Sequence, residues 1–270
     1  MNSRLRTGVF ILGIVACISL EAAGSKALQY MGRPIDALCF TNLDQDKKSI
    51  DLTHCGLKAT KYVLNGQNKD LIGQGYTGLN WIDKSGPGNS QGYSYYKFFK
   101  ANADAFWVYT VSNSGGNGEF TQLLKVQPGQ SDTLQVETIM EGDRCNGGIS
   151  KVKLQDSKLD FSVNVTAFDI IALSKNHDPS LKAYDDLAAC AVCCFGKAHY
   201  ELKGSKPQLK YIDLGGITNS KDRPDQGRYQ SCLNDLLTSR VINGHNKLNL
   251  AQLDELVSQF SKQCQKHKAN

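Results

Sequence analysis

The chain has 270 residues, 40% hydrophobic and 21% charged, with a formal net charge of +5. That is enough apolar material for one large domain or two small ones, and it excludes a wholly disordered chain. Six prolines and 25 glycines without a period exclude a collagen-like chain, and a single long apolar run excludes a polytopic membrane protein.

That run lies at the N-terminus. Arg4 and Arg6 precede apolar residues from Val9 to Leu20, and Ala22-Ala23-Gly24 follows. A basic start, a short apolar stretch and small residues before a cleavage point read as a secretory signal over residues 1–24. Twelve apolar residues are too few to span a bilayer as a helix. Ser25 would be the first mature residue, and 25–270 a single extracytoplasmic domain, periplasmic or secreted. A competing reading takes Ile14-Val15-Ala16-Cys17 as a lipoprotein box. Lipidation at Cys17 is the only route by which the sequence points to a membrane. The first 24 residues hold Arg4, Arg6 and Glu21, so the mature chain carries +4. Its acids and bases are interspersed. The basic tail, Lys262, Lys266 and Lys268, reads as a helix end complementing its dipole, and nothing reads as a nucleic-acid surface.

Eight of the nine cysteines follow the signal: Cys39, Cys55, Cys145, Cys190, Cys193, Cys194, Cys232 and Cys264. An even number in an exported chain reads as up to four structural disulfides. Between 25 and 90 the apolar clusters are short. Cys39 and Cys55 flank the polar run Asp44 to Lys48, and a local disulfide closing that loop is the simplest account. Asp44 and Asp46 invite a calcium reading, but no Gly stands at the sixth loop position and no Glu at the twelfth, so a solvated turn is expected.

Residues 91–173 read as an antiparallel β meander. Tyr93 to Lys100, Ala105 to Ser112 and Phe120 to Val126 are aromatic and β-branched, separated by a Gly-rich turn at 115–118 and by Pro128-Gly129. Leu134, Val136, Thr138 and Met140 alternate with polar residues, as do Val152 and Leu154, and then Leu159, Phe161, Val163 and Val165. That period of two marks half-buried strands. Asp156-Ser157 suggests a tight hairpin. Asp178-Pro179 followed by Leu181, Tyr184, Leu187, Ala188 and Ala191 predicts a helix over 179–195, stopped by Gly196. Two more strands, His199 to Lys203 and Gln208 to Leu214, precede a polar loop at 215–227.

A helical hairpin is expected over 228–266. Asn243-Gly244 ends its first helix, and Asn249 with Gln252 forms a capping box for the second. Cys232 and Cys264 lie on the two apolar stripes at similar distances from the turn, which predicts a disulfide between them. The fold class is therefore α+β: a curved sheet, sandwich or barrel of antiparallel strands with packed helices, stapled by disulfides.

No catalytic signature is present, and no cofactor or metal is implied. In Cys190-Ala191-Val192-Cys193-Cys194 a redox pair would need the thiols at a helix start, whereas the predicted helix is ending there. Zinc would need a second Cys or His pair at regular spacing. His54, His177, His199, His245 and His267 are scattered. Asn164-Val165-Thr166 fits the N-glycosylation pattern, a short and weak match.

Two features could form a ligand site. One is the aromatic run, chiefly Tyr93, Tyr95, Trp107 and Tyr109; the other is the loop carrying Asp143 and Arg144, which also reads as a plain Asn146-Gly147 hairpin turn. The functional expectation is an exported, non-enzymatic binding protein for a partner protein, a glycan or a small apolar ligand. The alternative is an extracytoplasmic enzyme, either a thiol-disulfide oxidoreductase using Cys190 and Cys193 or a hydrolase with dispersed catalytic residues. Mass spectrometry of the exported protein should find Ser25 at the N-terminus; a diacylglycerol-modified Cys17 there would instead establish a lipoprotein.

Overall fold

The computed structural model describes residues 28–41, 43, 48–85 and 88–265. The signal segment with Cys17, the Asp44 and Asp46 turn, and Lys266 and Lys268 lie outside the described residues. None of the described helices is long and apolar enough to cross a membrane.

The fold is α+β, built on two antiparallel sheets. Seven strands form the first: β3 (Ser49–Asp51), β4 (Tyr62–Leu64), β5 (Thr77–Asp83), β6 (Ser90–Lys100), β7 (Phe106–Asn113), β8 (Phe120–Pro128) and β9 (Thr133–Asp143), in the order β3-β9-β8-β7-β6-β5-β4. The second sheet holds β10 (Ile149–Gln155), β11 (Lys158–Val165), β12 (Gly196–Lys203), β13 (Lys206–Asp213) and β14 (Lys247–Asn249), in that order. A short pair, β1 (Gln29–Tyr30) and β2 (Arg33–Pro34), precedes them.

Each face of the seven-stranded sheet has its own cover. On one side the N-terminal segment, with helix α1 (Leu38–Thr41), lays Leu28, Ile35 and Phe40 over Tyr96, Val108, Leu124 and Leu134. The Tyr96 hydroxyl donates to Ile35 O at 3.1 Å, and Cys39–Cys55 closes the segment on itself. On the other side Trp107, Tyr109, Val111 and Leu123 join the inner face of the five-stranded sheet in one larger core. That core also receives α3 (Ala167–Ala172), α4 (Gln230–Ile242) and α5 (Leu250–Phe260).

The expected meander is thus divided between two sheets. After Asp143 the chain makes a tight turn at Arg144-Cys145, where Asp143 and Asn146 exchange backbone hydrogen bonds of 3.0 and 2.8 Å, and then crosses over to the second sheet. The crossing is tight enough to require glycine: a Cβ on Gly142 would stand 2.2 Å from the Gly147 carbonyl carbon, and Gly147 itself has φ +77°. Ile149 then docks on the first sheet, its N–H donating to Thr121 Oγ1 at 2.7 Å and its carbonyl accepting from the Tyr109 hydroxyl at 2.8 Å. The Asn146-Gly147 hairpin reading is corrected accordingly. The Asp156-Ser157 hairpin does form, both residues having positive φ between β10 and β11.

The helix expected over 179–195 does not form. Its backbone is satisfied by distant partners rather than by its own turns: Ala188 N–H donates to Gln230 Oε1, its carbonyl accepts from Phe168, and the Ala191 carbonyl accepts from Cys145. Asp186 is buried and pairs with Arg228, while also accepting from the Lys182 N–H at 2.9 Å. In a helix Asp186 would lie off the Leu181, Tyr184, Leu187 and Ala188 stripe and away from the buried position it shares with Arg228.

At the C-terminus α4 ends at Asn243 and α5 starts with the Asn249–Gln252 capping box, as expected. Between them β14 joins the sheet edge, Leu248 pairing with Ile212, so a helix–strand–helix unit replaces a simple hairpin. Cys232 and Cys264 are bonded, with Cα atoms 5.8 Å apart.

Phe161 and Val163 are buried on β11 and Asp160 is exposed between them and solvent. An aspartate at 161 or 163 leaves an unpaired charge in the core, which costs several kcal/mol against a total stability of roughly 5–15 kcal/mol. Phe161→Asp should abolish soluble secretion and Asp160→Ala should leave it intact; equal yields of the two would contradict the facing of β11.

Candidate functional site

The residues singled out in the sequence part company. Tyr95 is fully buried, its hydroxyl donating to Asn80 Oδ1 at 2.8 Å and accepting the Asn68 N–H ahead of α2 (Lys69–Gly73). Trp107 lies in the main core. Neither offers a face to a ligand, so both are core residues rather than a binding platform. The other four gather around Glu119. The Tyr93 hydroxyl donates to its carboxylate at 3.3 Å, and its N–H donates to Asp143 Oδ1 at 2.9 Å. Arg144 grips Asp143 with two bonds of 3.0 Å, which holds that carboxyl below the usual carboxylate range. Tyr109 and Arg144 line a cleft of about 260 Å³ with Tyr76, Ser150 and Asn164. Burial, reinforced by the Glu119 charge, pushes the Tyr93 phenol up to about 12.

This cleft is largely self-satisfied. Arg144 is spent on Asp143, the Tyr109 hydroxyl on Ile149 O, and the Asn164 amide on Arg144 O at 3.0 Å. The last bond also occupies the nitrogen that a glycan would modify.

All eight cysteines among the described residues are paired. Besides the two bonds already described, Cys145 joins Cys194 and Cys190 joins Cys193. Cys190–Cys193 closes a turn, with Cys193 N–H donating to Cys190 O at 2.9 Å, and not a helix start. The expectation that these cysteines stand at the end of a helix is corrected with the helix itself. Among the described residues no group of three or more His, Cys, Asp or Glu side chains is placed to hold a metal ion.

The signal that sequence reasoning passed over is the outer face of the five-stranded sheet. Cross-strand register sets its side chains in rows. One runs Lys151, Ser162, His199, Tyr211, Asn249; the next runs Lys153, Asp160, Glu201, Gln208. On the other flank lie Asn164, Lys197, Asp213 and Lys247. Each residue reads in the chain as an ordinary solvent position of an alternating strand. Together with Lys158, Lys203, Lys206 and Lys210 they make a face on which lysines far outnumber the three carboxylates Asp160, Glu201 and Asp213. Five strands at about 4.8 Å spacing span roughly 20 Å.

A trough of about 610 Å³ follows the middle of this face, lined by Lys151, Lys153, Asp160, His199, Glu201, Lys210 and Tyr211. The His199 and Tyr211 rings stack at 4.3 Å, and Lys247 Nζ sits 5.5 Å from the far side of Tyr211. Tyr211 is therefore sandwiched, and the free ring face belongs to His199. A β-bulge between His199 and Tyr200 sets Lys210 beside Glu201, at 3.8 Å, while Lys158 approaches the same carboxylate at 3.4 Å. Such exposed pairs are weak and exchange readily. Ser162 is buried at the trough floor, its hydroxyl 2.9 Å from that of Ser150.

No protein-family model, curated protein sequence or solved structure matches this chain.

Burial lowers the pKa of His199 from 6.5; Asp213 opposes the shift, and Lys197, Lys247 and Lys151 add to it. A group whose folded pKa lies below its unfolded value contributes stability that is full above about 6.5 and is lost as the pH falls toward the folded value. Proton NMR should therefore show His199 titrating below 6.5. Asp213→Asn should lower its pKa further and Lys197→Glu should raise it; shifts of the opposite sign would contradict the described electrostatics.

Proposed function

We propose that this is an exported binding protein whose ligand is an acidic polysaccharide, held along the outer face of the five-stranded sheet. The observation that supports it is the row pattern: lysines flanking a shallow trough lined by the hydroxyls of Ser162 and Tyr211 and the carboxylates of Asp160 and Glu201. Lysine rows attract a repeating anion and hold it without demanding one register. Asp160 and Glu201 accept from sugar hydroxyls, whereas a polyanion without hydroxyl donors would meet them only as repulsion. The half-buried His199 ring gives an apolar strip against which a sugar ring packs. Four disulfides support an extracytoplasmic location, where polysaccharides are met.

This reading departs from the aromatic β6–β7 platform expected in the sequence, because the platform is consumed by packing. The oxidoreductase alternative would work through Cys190–Cys193, and disulfide reductase assays on the oxidised protein test it separately.

The experiment is binding of alginate, with neutral dextran as control, to the wild type and to Lys151→Glu/Lys153→Glu/Lys210→Glu. Alginate should bind and dextran should not. Affinity should fall at least about tenfold between 50 mM and 500 mM salt, since surface charges are screened over a few ångströms there. It should rise as the pH drops through the titration of His199, because the bound anion favours the imidazolium. The triple variant should lose binding while Lys58→Glu, in the 3-10 turn near Cys55, retains it. Equal binding by the triple variant would refute the proposal.

A further inference from the structure

The loop that follows β13 returns to the start of α4 and encloses a pocket of about 250 Å³, lined by Ser220, Lys221, Arg223, Asp225, Ser231 and Asn234. Arg223 is only 3% exposed. Its terminal nitrogens reach the carbonyls of Phe195 and Ile217, each at 3.5 Å, and its Nε has no partner. Among the described residues no carboxylate forms an ion pair with it, in contrast to Arg228 on Asp186 and Arg144 on Asp143. A guanidinium carries five N–H donors in a fixed fork. Two long bonds to neutral carbonyls leave most of that capacity unused, the charge is met only by the Phe195 ring at 5.6 Å, and burial works against the charged form.

The surroundings have the same sign. The first turn of the 13-residue helix α4 opens here, and its N-cap, Tyr229, makes no side-chain cap bond. The positive end of that helix faces the pocket with the Ser231 hydroxyl beside it. Lys221 stands in the lining and is exposed. Asn234 is a fixed wall, donating to Pro224 O at 3.1 Å and accepting from Gln230 at 2.8 Å. Asp225 is the one acid in the lining.

We propose that this pocket binds a phosphate group, with Arg223 as its buried counter-charge, Lys221 and Ser231 as further donors, and Asp225 as acceptor of the phosphate's remaining proton. The volume holds a single tetrahedral oxyanion with some water or a short ester tail. The acid is what separates phosphate from sulfate: sulfate has no proton to give at neutral pH, and its oxygens would face the Asp225 carboxylate directly. The proposal is independent of the polysaccharide reading, since it concerns a different element and a discrete 1:1 ligand.

Isothermal titration with inorganic phosphate, at ionic strength held constant with chloride, should give saturable 1:1 binding, and sulfate should bind at least about tenfold more weakly. A parallel titration with glycerol phosphate identifies the source: tighter binding of the ester points to an esterified phosphate, tighter binding of the inorganic ion to free phosphate. Arg223→Gln should abolish binding. If that variant does not fold, Lys221→Glu and Ser231→Asp, both at exposed positions, should each weaken phosphate at least about tenfold. Asp225→Asn should remove the preference over sulfate. Absence of saturable phosphate binding, or unchanged affinity in Lys221→Glu and Ser231→Asp, would overturn the assignment.

Discussion

The rest of the structure depends on the point where the chain leaves one sheet for the other. At residues 143–149 the Asp143 carboxylate holds Glu119 N–H and Arg144 together, and Ile149 is pinned between Tyr109 and Thr121 of the first sheet. Side chains alternate with a period of two, so the phase with which β10 begins decides which face of β10, β11 and every later strand turns inward. Ile149 is buried, and a β-bulge between Ile149 and Lys151 shifts the phase by one residue, so that Val152, Phe161 and Tyr200 face the core while Lys151, Ser162 and His199 are turned out. A slip of one residue would bury the lysine rows and expose the core. The crossing is accordingly fastened several times over, by the glycine contacts, by Cys145 N–H on Ala191 O and by the Cys145–Cys194 bond.

The alternation was legible because it is local. Leu159, Phe161, Val163 and Val165 declare their face within one strand, and the Cys232–Cys264 bond follows from arm lengths on either side of a turn. What sequence could not carry was partnership between distant segments. An Asn-Gly at 146–147 looks the same whether the next strand pairs with the last one or crosses to another sheet. Leu181, Tyr184, Leu187 and Ala188 fit a helical stripe, yet a buried Asp186 and three cysteines in five residues offered the backbone stronger distant partners. The three residues of β14 were too few to show a period at all and read as a cap.

The candidate site was less legible for the same reason. Aromatic residues stand out in a sequence, and a sheet covered on both faces consumes most of them; Tyr95 and Trp107 went into packing. Tyr93, Tyr109, Asp143 and Arg144 do meet, but around Glu119, whose role no spacing revealed. The lysine face was invisible because each lysine was individually unremarkable. Only cross-strand register, which is a property of pairs far apart in the chain, turns them into rows.

The disulfides complete this division of labour. None of the eight cysteines lies in a strand; they sit in α1, in loops, in α4 and in the π-helical turn at Ser261–Gln265. In chain-entropy terms the three bonds closing 16, 32 and 49 residues each contribute about 3–4 kcal/mol, whereas Cys190–Cys193, closing three, contributes roughly half that. The short bond therefore acts on geometry more than on stability. It fixes a turn in which Cys194 faces Cys145 and Phe195 enters β11's ladder through its N–H on Val165 O at 2.9 Å. Phe195 in turn supplies the carbonyl and the ring against which Arg223 rests. The smallest covalent loop in the molecule thus positions one wall of the pocket at the start of α4, and it does so without contributing a reactive thiol.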